Sequence, residues 1–341
     1  MPLVCNPAKS RMLLAYAGVF CCGAAAMFGI VALVPQNAGC SRTYDLLSPQ
    51  VRCEQGLQQG EWDYEPLRDA LLQKKAQFKN EGKASELSIA FRDLDNGARF
   101  GIGEYEKFQP ASLRKVPILL VYLHMADLDP AILDKTLSFS GTLKMNANVE
   151  QSDETIQPNT PYTVRELLEK MIVYSDNYSY TVLTDELNQS PPILPYYTFR
   201  DLGVLKMMID PKGEYISIQS YSTLFAILYS SGYLSKDMSQ YGLNLLSRAT
   251  FTEGLVAGVP AGTRVAHKFG LRAPEAGEDG QLHDCGIVYH PRTAYVLCVM
   301  TSGTDVEKQK QVIAEISHTV YEAVSSLSQD MRPRDDAGAP R

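Results

Sequence analysis

Hydrophobic and polar positions change their rhythm along the chain. From Met12 to Val34 the residues run for 23 positions without a charge, behind Lys9 and Arg11 and ahead of Pro35. Residues 35–62 are polar, with Gln, Gly and Pro and no clear period, which suits a tether. Beyond them the pattern is that of regular structure. Glu65 to Phe78 repeats its apolar residues at helical spacing, and "ELSIAFRDLDNGARFGIG" (86–103) predicts two strands turning at Asp95-Asn96-Gly97. Ser112 to Met125 predicts an apolar helix, interrupted early by Pro117. Helices then dominate, over Thr163–Val173, Asn177–Leu187, Pro192–Leu202, Ser217–Ser230 and Ser235–Arg248. Thr263–Phe269, Leu282–His290 and Ala294–Thr301 follow as strands, and Val306–Leu327 as a closing helix.

Strands, a long helical block, strands again and a last helix fit an α+β fold with an antiparallel sheet better than a parallel βαβ array. The expected organisation is a short leading segment (1–11), a transmembrane anchor or signal (12–34), a tether (35–63), one folded domain (64–327) and an unstructured tail (328–341). No internal repeat is found. Trp62, the single tryptophan, marks the domain edge.

Composition sharpens this picture in three places. A chain of 341 residues with 45% hydrophobic content can bury a sizeable core. A net charge of -7, with no stripe of Lys and Arg among aromatics, argues against a nucleic-acid surface. The uncharged run is long enough to span a bilayer, whereas a cleavable signal has an apolar core of about 7 to 15 residues. An uncleaved anchor with its positive flank cytoplasmic and the remainder exported is therefore the expectation, with secretion after cleavage as the alternative. Cys40 in "NAGC" is a poor lipid-attachment site, because Asn37 stands where a bulky apolar residue is wanted.

Export permits disulfides, for which Cys40 with Cys53 and Cys285 with Cys298 are the candidate pairs outside the anchor. A hairpin centred between Pro291 and Arg292 sets Cys285 opposite Cys298. Most facing strand positions fail disulfide geometry, so the expectation is two small buried apolar residues that stay unbonded. His267, His283 and His290 lack metal-ligand spacing with Cys285, and strand alternation puts His283 and His290 on opposite faces; neither a metal nor a cofactor is expected.

The candidate chemistry lies in "QPASLRKVPILL" (109–120). On a helix the i and i+3 side chains share a face, so Lys115 can reach Ser112, and a desolvated lysine can lose its proton at neutral pH. Read alone, Ser112 is sooner a helix cap and Lys115 a solvated cation. Two further signals follow in order: Ser175-Asp176-Asn177 at a break between helices, and Lys268-Phe269-Gly270 on a strand. Acyl transfer needs an activated hydroxyl, a proton acceptor and donors aimed at the oxyanion. Lys115 can be the base, Ser175 a proton relay, Asn177 an amide holder and Lys268 a fixed positive charge. Asp176 reads as a cap.

S-x-x-K, then S-D-N, then K-x-G, in this order and on these elements, resembles the motif set of class A β-lactamases and penicillin-binding proteins. The resemblance covers roughly residues 64–327 and implies a β-lactamase-like fold and an exported serine hydrolase that forms an acyl-enzyme. Its substrate would be a β-lactam or a D-alanyl peptide of the cell wall, and the chain is expected to be a monomer. The resemblance also implies an oxyanion hole from the backbone N–H groups of Ser112 and Leu271, just past Gly270. Two departures stand out. Phe269 replaces the threonine of K-T-G, whose hydroxyl helps hold the substrate carboxylate; Arg272 is the candidate substitute. The E-x-x-x-N segment that activates the deacylating water is missing. Asp210 and Glu214 are the only carboxylates in the short stretch where it would lie, and Glu214 is the candidate base, against a plain reading as a turn with a solvated neighbour. The alternative function is a cell-wall peptide-binding module on the same fold with little or no turnover; a structural, membrane-tethered protein would require the three motifs to be coincidence.

Overall fold

The computed structural model describes residues 44–48, 64–141, 154–189, 193–209 and 215–326. The anchor at 12–34, most of the tether, Trp62, the Cys40 and Cys53 pair, Asp210, Glu214 and the tail 328–341 lie outside the described residues. Among the described residues no helix is long and apolar enough to cross a membrane.

A five-stranded antiparallel sheet organises the fold. Strands β1 (Glu86–Asp93) and β2 (Arg99–Ile102) form the first hairpin, and β5 (Val265–Arg272), β6 (Gly280–Tyr289) and β7 (Ala294–Gly303) complete the order β2-β1-β7-β6-β5. The first turn forms as the sequence implies: the Asp93 carboxylate accepts from the amides of Asp95 at 2.8 Å and Asn96 at 3.0 Å, and Gly97 takes a left-handed φ of 80°. Both faces of the sheet are covered, so β7 is buried along almost its whole length. Its alternation still sorts two cores. Tyr295, Leu297 and Val299 face one side, against helix α1 (Glu65–Asn80) and the closing helix α9 (Val306–Ser326). Val296, Cys298 and Met300 face the other, against the helical block.

That block contains α2 (Lys115–Leu128), α3 (Val164–Val173), α4 (Asn177–Gln189), α5 (Ile193–Asp201), α6 (Leu205–Ile209), α7 (Ile218–Tyr229) and α8 (Lys236–Leu246). Side chains cap two of these helices. Thr163 and Glu166 close a capping box on α3, and the Ser235 hydroxyl accepts from the Met238 amide at 3.2 Å. The short strands β3 (Thr136–Ser138) and β4 (Pro161–Thr163), and helix α6, were not legible from the pattern, being too short to show a period.

Two expectations are corrected. Cys285 and Cys298 face each other as the hairpin predicts, but they are joined as a disulfide, with Cα atoms only 4.0 Å apart. The pair's side chains point into the same closely packed layer, which brings the thiols within bonding reach. Pro117 does not interrupt its helix: α2 begins at Lys115, so Pro117 lies in the first turn, where no intrahelical N–H bond is lost. Ser112 belongs instead to a preceding 3-10 turn, Ala111–Arg114.

Candidate active site

The site lies between β5, an edge strand of the sheet, and the 3-10 turn at the head of α2. Ala111 opens the turn with a left-handed φ of 44°. In a 3-10 turn residues i and i+3 eclipse, so the short helical piece, rather than a full α-turn, sets Lys115 directly over Ser112. Their reactive atoms, Lys115 Nζ and Ser112 Oγ, are 3.1 Å apart. Gly270 lets β5 approach: a Cβ there would come within 2.9 Å of the Pro110 carbonyl oxygen and 3.1 Å of Leu113 Cγ.

The second motif closes the site from the helical side. Ser175 adopts a left-handed φ of 58°, and both its oxygens turn to Lys115: the carbonyl in a short hydrogen bond, the hydroxyl at 3.1 Å. Asn177 Oδ1 accepts from Lys115 Nζ at 2.7 Å. Asp176 caps α4, as expected, its carboxylate accepting from the amide of Ser179 at 2.7 Å and from its hydroxyl at 2.5 Å.

Proton accounting defines what Lys115 can do. The Ser175 carbonyl and Asn177 Oδ1 can only accept, so a neutral amine satisfies both with its two N–H groups and keeps its lone pair for the Ser112 hydroxyl. Burial pulls the pKa of Lys115 from its ordinary 10.5 down to about 7, against the charge of Asp176, which favours the protonated form. At neutral pH the residue is thus poised to take a proton from Ser112.

Lys268 projects from β5 to the same place, donating to Ser175 Oγ at 2.8 Å and to the Phe269 carbonyl at 3.1 Å. Burial, and then the proximity of Lys115, hold its pKa well below the ordinary lysine range, while Asp284 pulls the other way. A substrate carboxylate would add to that pull and favour its charged form. Asp284 is itself buried behind the strand, bonded to His267 Nδ1 at 2.8 Å and accepting from the Leu255 amide at 2.9 Å. No short spacing announces this support, since His267 and Asp284 lie on neighbouring strands.

A cavity of about 480 Å³ opens over Ser112, lined also by Gln109, Arg114, Lys115, Asn177, Tyr180, Leu271 and Arg272. The expected residues Ser112, Lys115, Asn177, Leu271 and Arg272 therefore share one cavity, with Ser175 joined to it through Lys115 and Lys268 through Ser175. Arg272 is bonded to the Glu278 carboxylate and the Asp279 carbonyl, each at 2.8 Å. Phe269 is not among the lining residues; its ring stacks on Phe251 at 4.2 Å between centroids. Arg114 and Tyr180 were missed, although Arg114 lies inside the S-x-x-K motif and Tyr180 is one helical turn beyond Asn177. The histidines do not converge: His283 donates to the Gln109 carbonyl at 2.9 Å, its pKa lowered by burial to about 4, and His290 pairs with Ser325. Among the described residues no group of three His, Cys, Asp or Glu side chains is placed to hold a metal ion.

Known proteins are similar to this chain in sequence and fold. The chain is 26% identical over 263 residues to the extended-spectrum beta-lactamase PER-1 of Pseudomonas aeruginosa, covering 71% of this chain and 83% of that protein. Its fold is similar to that of the extended-spectrum beta-lactamase TLA-3, with a TM-score of 0.66 at 20% identity over 75% of this chain and 98% of the other. It is similar also to PBP-A, with a TM-score of 0.59 at 25% identity over 75% of this chain and 97% of the other. Residues 71–324 match the beta-lactamase enzyme family, which spans the sheet, the helical block and all three motifs. With the serine, the desolvated lysine and this match in hand, the chain belongs to the beta-lactamase enzyme family of serine hydrolases.

Proposed function

We propose that the protein opens β-lactam rings through an acyl-enzyme on Ser112, and that it releases the product slowly. The observation that carries this reading is the buried Lys115 Nζ, 3.1 Å from Ser112 Oγ with its pKa brought to about 7. In acylation, Ser112 Oγ bonds to the lactam carbonyl carbon as its proton passes to Lys115. Backbone N–H groups of Ser112 and Leu271 receive the oxyanion, and Asn177 holds the side-chain amide of the substrate. The C–N bond then breaks, and the leaving nitrogen takes a proton relayed through Ser175, which touches both Lys115 and Lys268. Lys268, with Arg272 at the rim, meets the substrate carboxylate. Water must finally attack the ester to free Ser112, and among the described residues no carboxylate lines the cavity to activate it. A PBP-A variant is described as an acyl-enzyme complex with penicillin G, which supports a stable adduct on this fold. D-alanyl peptides of the cell wall are a second substrate class for the same chemistry. The uncharged run at 12–34 supports an exported domain held at a membrane.

Intact-mass analysis of the full-length chain incubated with benzylpenicillin tests the proposal. The expected result is one adduct of the penicillin's mass that persists for minutes, absent in Ser112→Ala and formed orders of magnitude more slowly in Lys115→Ala. Labelling of Ser112→Ala would overturn it, and turnover above about one per second would overturn the slow release.

A further inference from the structure

The turn that carries Ser112 depends on contacts from outside itself. Ala111 opens it in a left-handed conformation, φ 44°, which an L-residue other than glycine keeps only where its surroundings enforce it. Further along, the Leu113 carbonyl has no i+4 helical partner, because that residue is Pro117 and carries no N–H.

Two buried side chains supply what the turn lacks. From α7, the Tyr221 hydroxyl donates to the Leu113 carbonyl at 3.0 Å. From β6, His283 Nε2 donates to the Gln109 carbonyl at 2.9 Å, while the Gln281 side-chain oxygen accepts from the Gln109 amide at 2.8 Å. His283 stands opposite Gly270 in the register of β5 and β6, beside the strand position against which the turn packs. Tyr221 and His283 are both at 0% exposure. A phenol and an imidazole are costly to bury unless bonded, and both give their polar hydrogen to the backbone within three residues of Ser112. Burial lowers the His283 pKa to about 4, so at neutral pH the ring is uncharged and its Nε2–H is the donor.

We propose that Tyr221 and His283 are positioning residues for the nucleophile: they hold the turn Ala111–Arg114 so that Ser112 Oγ stays against Lys115 Nζ, and they act on the acylation step rather than on binding of the lactam. The inference rests on the acyl-enzyme reading above.

The test is rapid-quench intact mass of the full-length chain over a range of benzylpenicillin concentrations. It yields a limiting acylation rate, a half-saturating concentration and a final extent of labelling, which counts competent molecules. Tyr221→Phe removes one oxygen, and its limiting rate is expected to fall about tenfold at a similar half-saturating concentration. His283→Leu should do the same, and His283→Gln, whose side-chain amide keeps a donor near Nε2, should recover most of the rate. The rising limb of the pH profile should stay near 7 in each, because Lys115 itself is unaltered. If His283→Leu does not fold, Tyr221→Phe decides. An unchanged limiting rate in Tyr221→Phe, or a loss seen only in the extent of labelling, overturns this inference alone. If benzylpenicillin does not label the unaltered protein, the hydrolase reading falls and this inference falls with it.

Discussion

If Lys115 takes the proton from Ser112, acylation must follow the protonation of that one amine. An ordinary lysine at 10.5 would be neutral in only about one molecule in three thousand at pH 7. Burial brings the pKa to about 7, which makes roughly half the molecules competent, a gain of about a thousandfold. The same fall represents about 5 kcal/mol of lost preference for the charged form, the cost of removing the amine from water. The sign is fixed: the neutral base accumulates as pH rises through about 7, so acylation should increase about tenfold per pH unit below that point and level off above it. Asp176 is the perturbation to use with it. Its charge favours protonated Lys115, so Asp176→Asn should move the rising limb to lower pH, while asparagine preserves the cap on α4. Stopped-flow acylation with a chromogenic cephalosporin, from about pH 5 to about pH 9, measures both curves. A rate that is flat across this range, or falls as pH rises, refutes the assignment of Lys115 as base. A limb that moves upward in Asp176→Asn refutes the electrostatic account.

Two other changes probe the frame of the site. Gly270→Ala places a methyl 2.9 Å from the Pro110 carbonyl oxygen, so the variant should lose about 1–3 kcal/mol of stability by thermal unfolding and acylate more slowly; unfolding and acylation like those of the parent would show that the approach is not tight. Cys285 and Cys298 should escape alkylation in denaturant until a reductant is added, and Cys298→Ala should cost about 3 kcal/mol for a link closing 13 residues; labelling without reductant would show free thiols.

What the sequence made legible was local. The reach of Lys115 to Ser112, the break carrying Ser175 and the strand carrying Lys268 all follow from short spacings and propensity; that Ser175 and Lys268 would join Ser112 and Lys115 came from the resemblance, because no local spacing spans such separations. Hairpin register was equally readable, because the turn at Pro291 and Arg292 fixes it, and Cys285 opposes Cys298 accordingly. Whether two facing thiols bond depends on separations of a fraction of an ångström, which a register does not contain. The 3-10 geometry under Ser112 was hidden for a related reason: it depends on the left-handed backbone of Ala111, a conformation that alanine does not advertise. The Asp284 and His267 pair behind Lys268 joins residues 17 apart on neighbouring strands, a contact that no local window reveals. Tyr180 was within reach, since one more helical turn from Asn177 leads to it.

The left-handed residues Ala111 and Ser175 sit on either side of Lys115, and neither is a glycine. Each such conformation costs an L-residue about 1 kcal/mol or more, and the rest of the fold must hold it in place. Selection for a more robust protein would push both positions toward glycine. At Ser175 that exchange would remove the hydroxyl that touches both lysines, so the two pressures oppose each other there. At Ala111 no polar atom is lost, yet a looser backbone would free the turn that holds Ser112 under its base. Improvement in durability is therefore more accessible in the sheet and outer helices, and the few residues around Lys115 form the part of the molecule least free to drift.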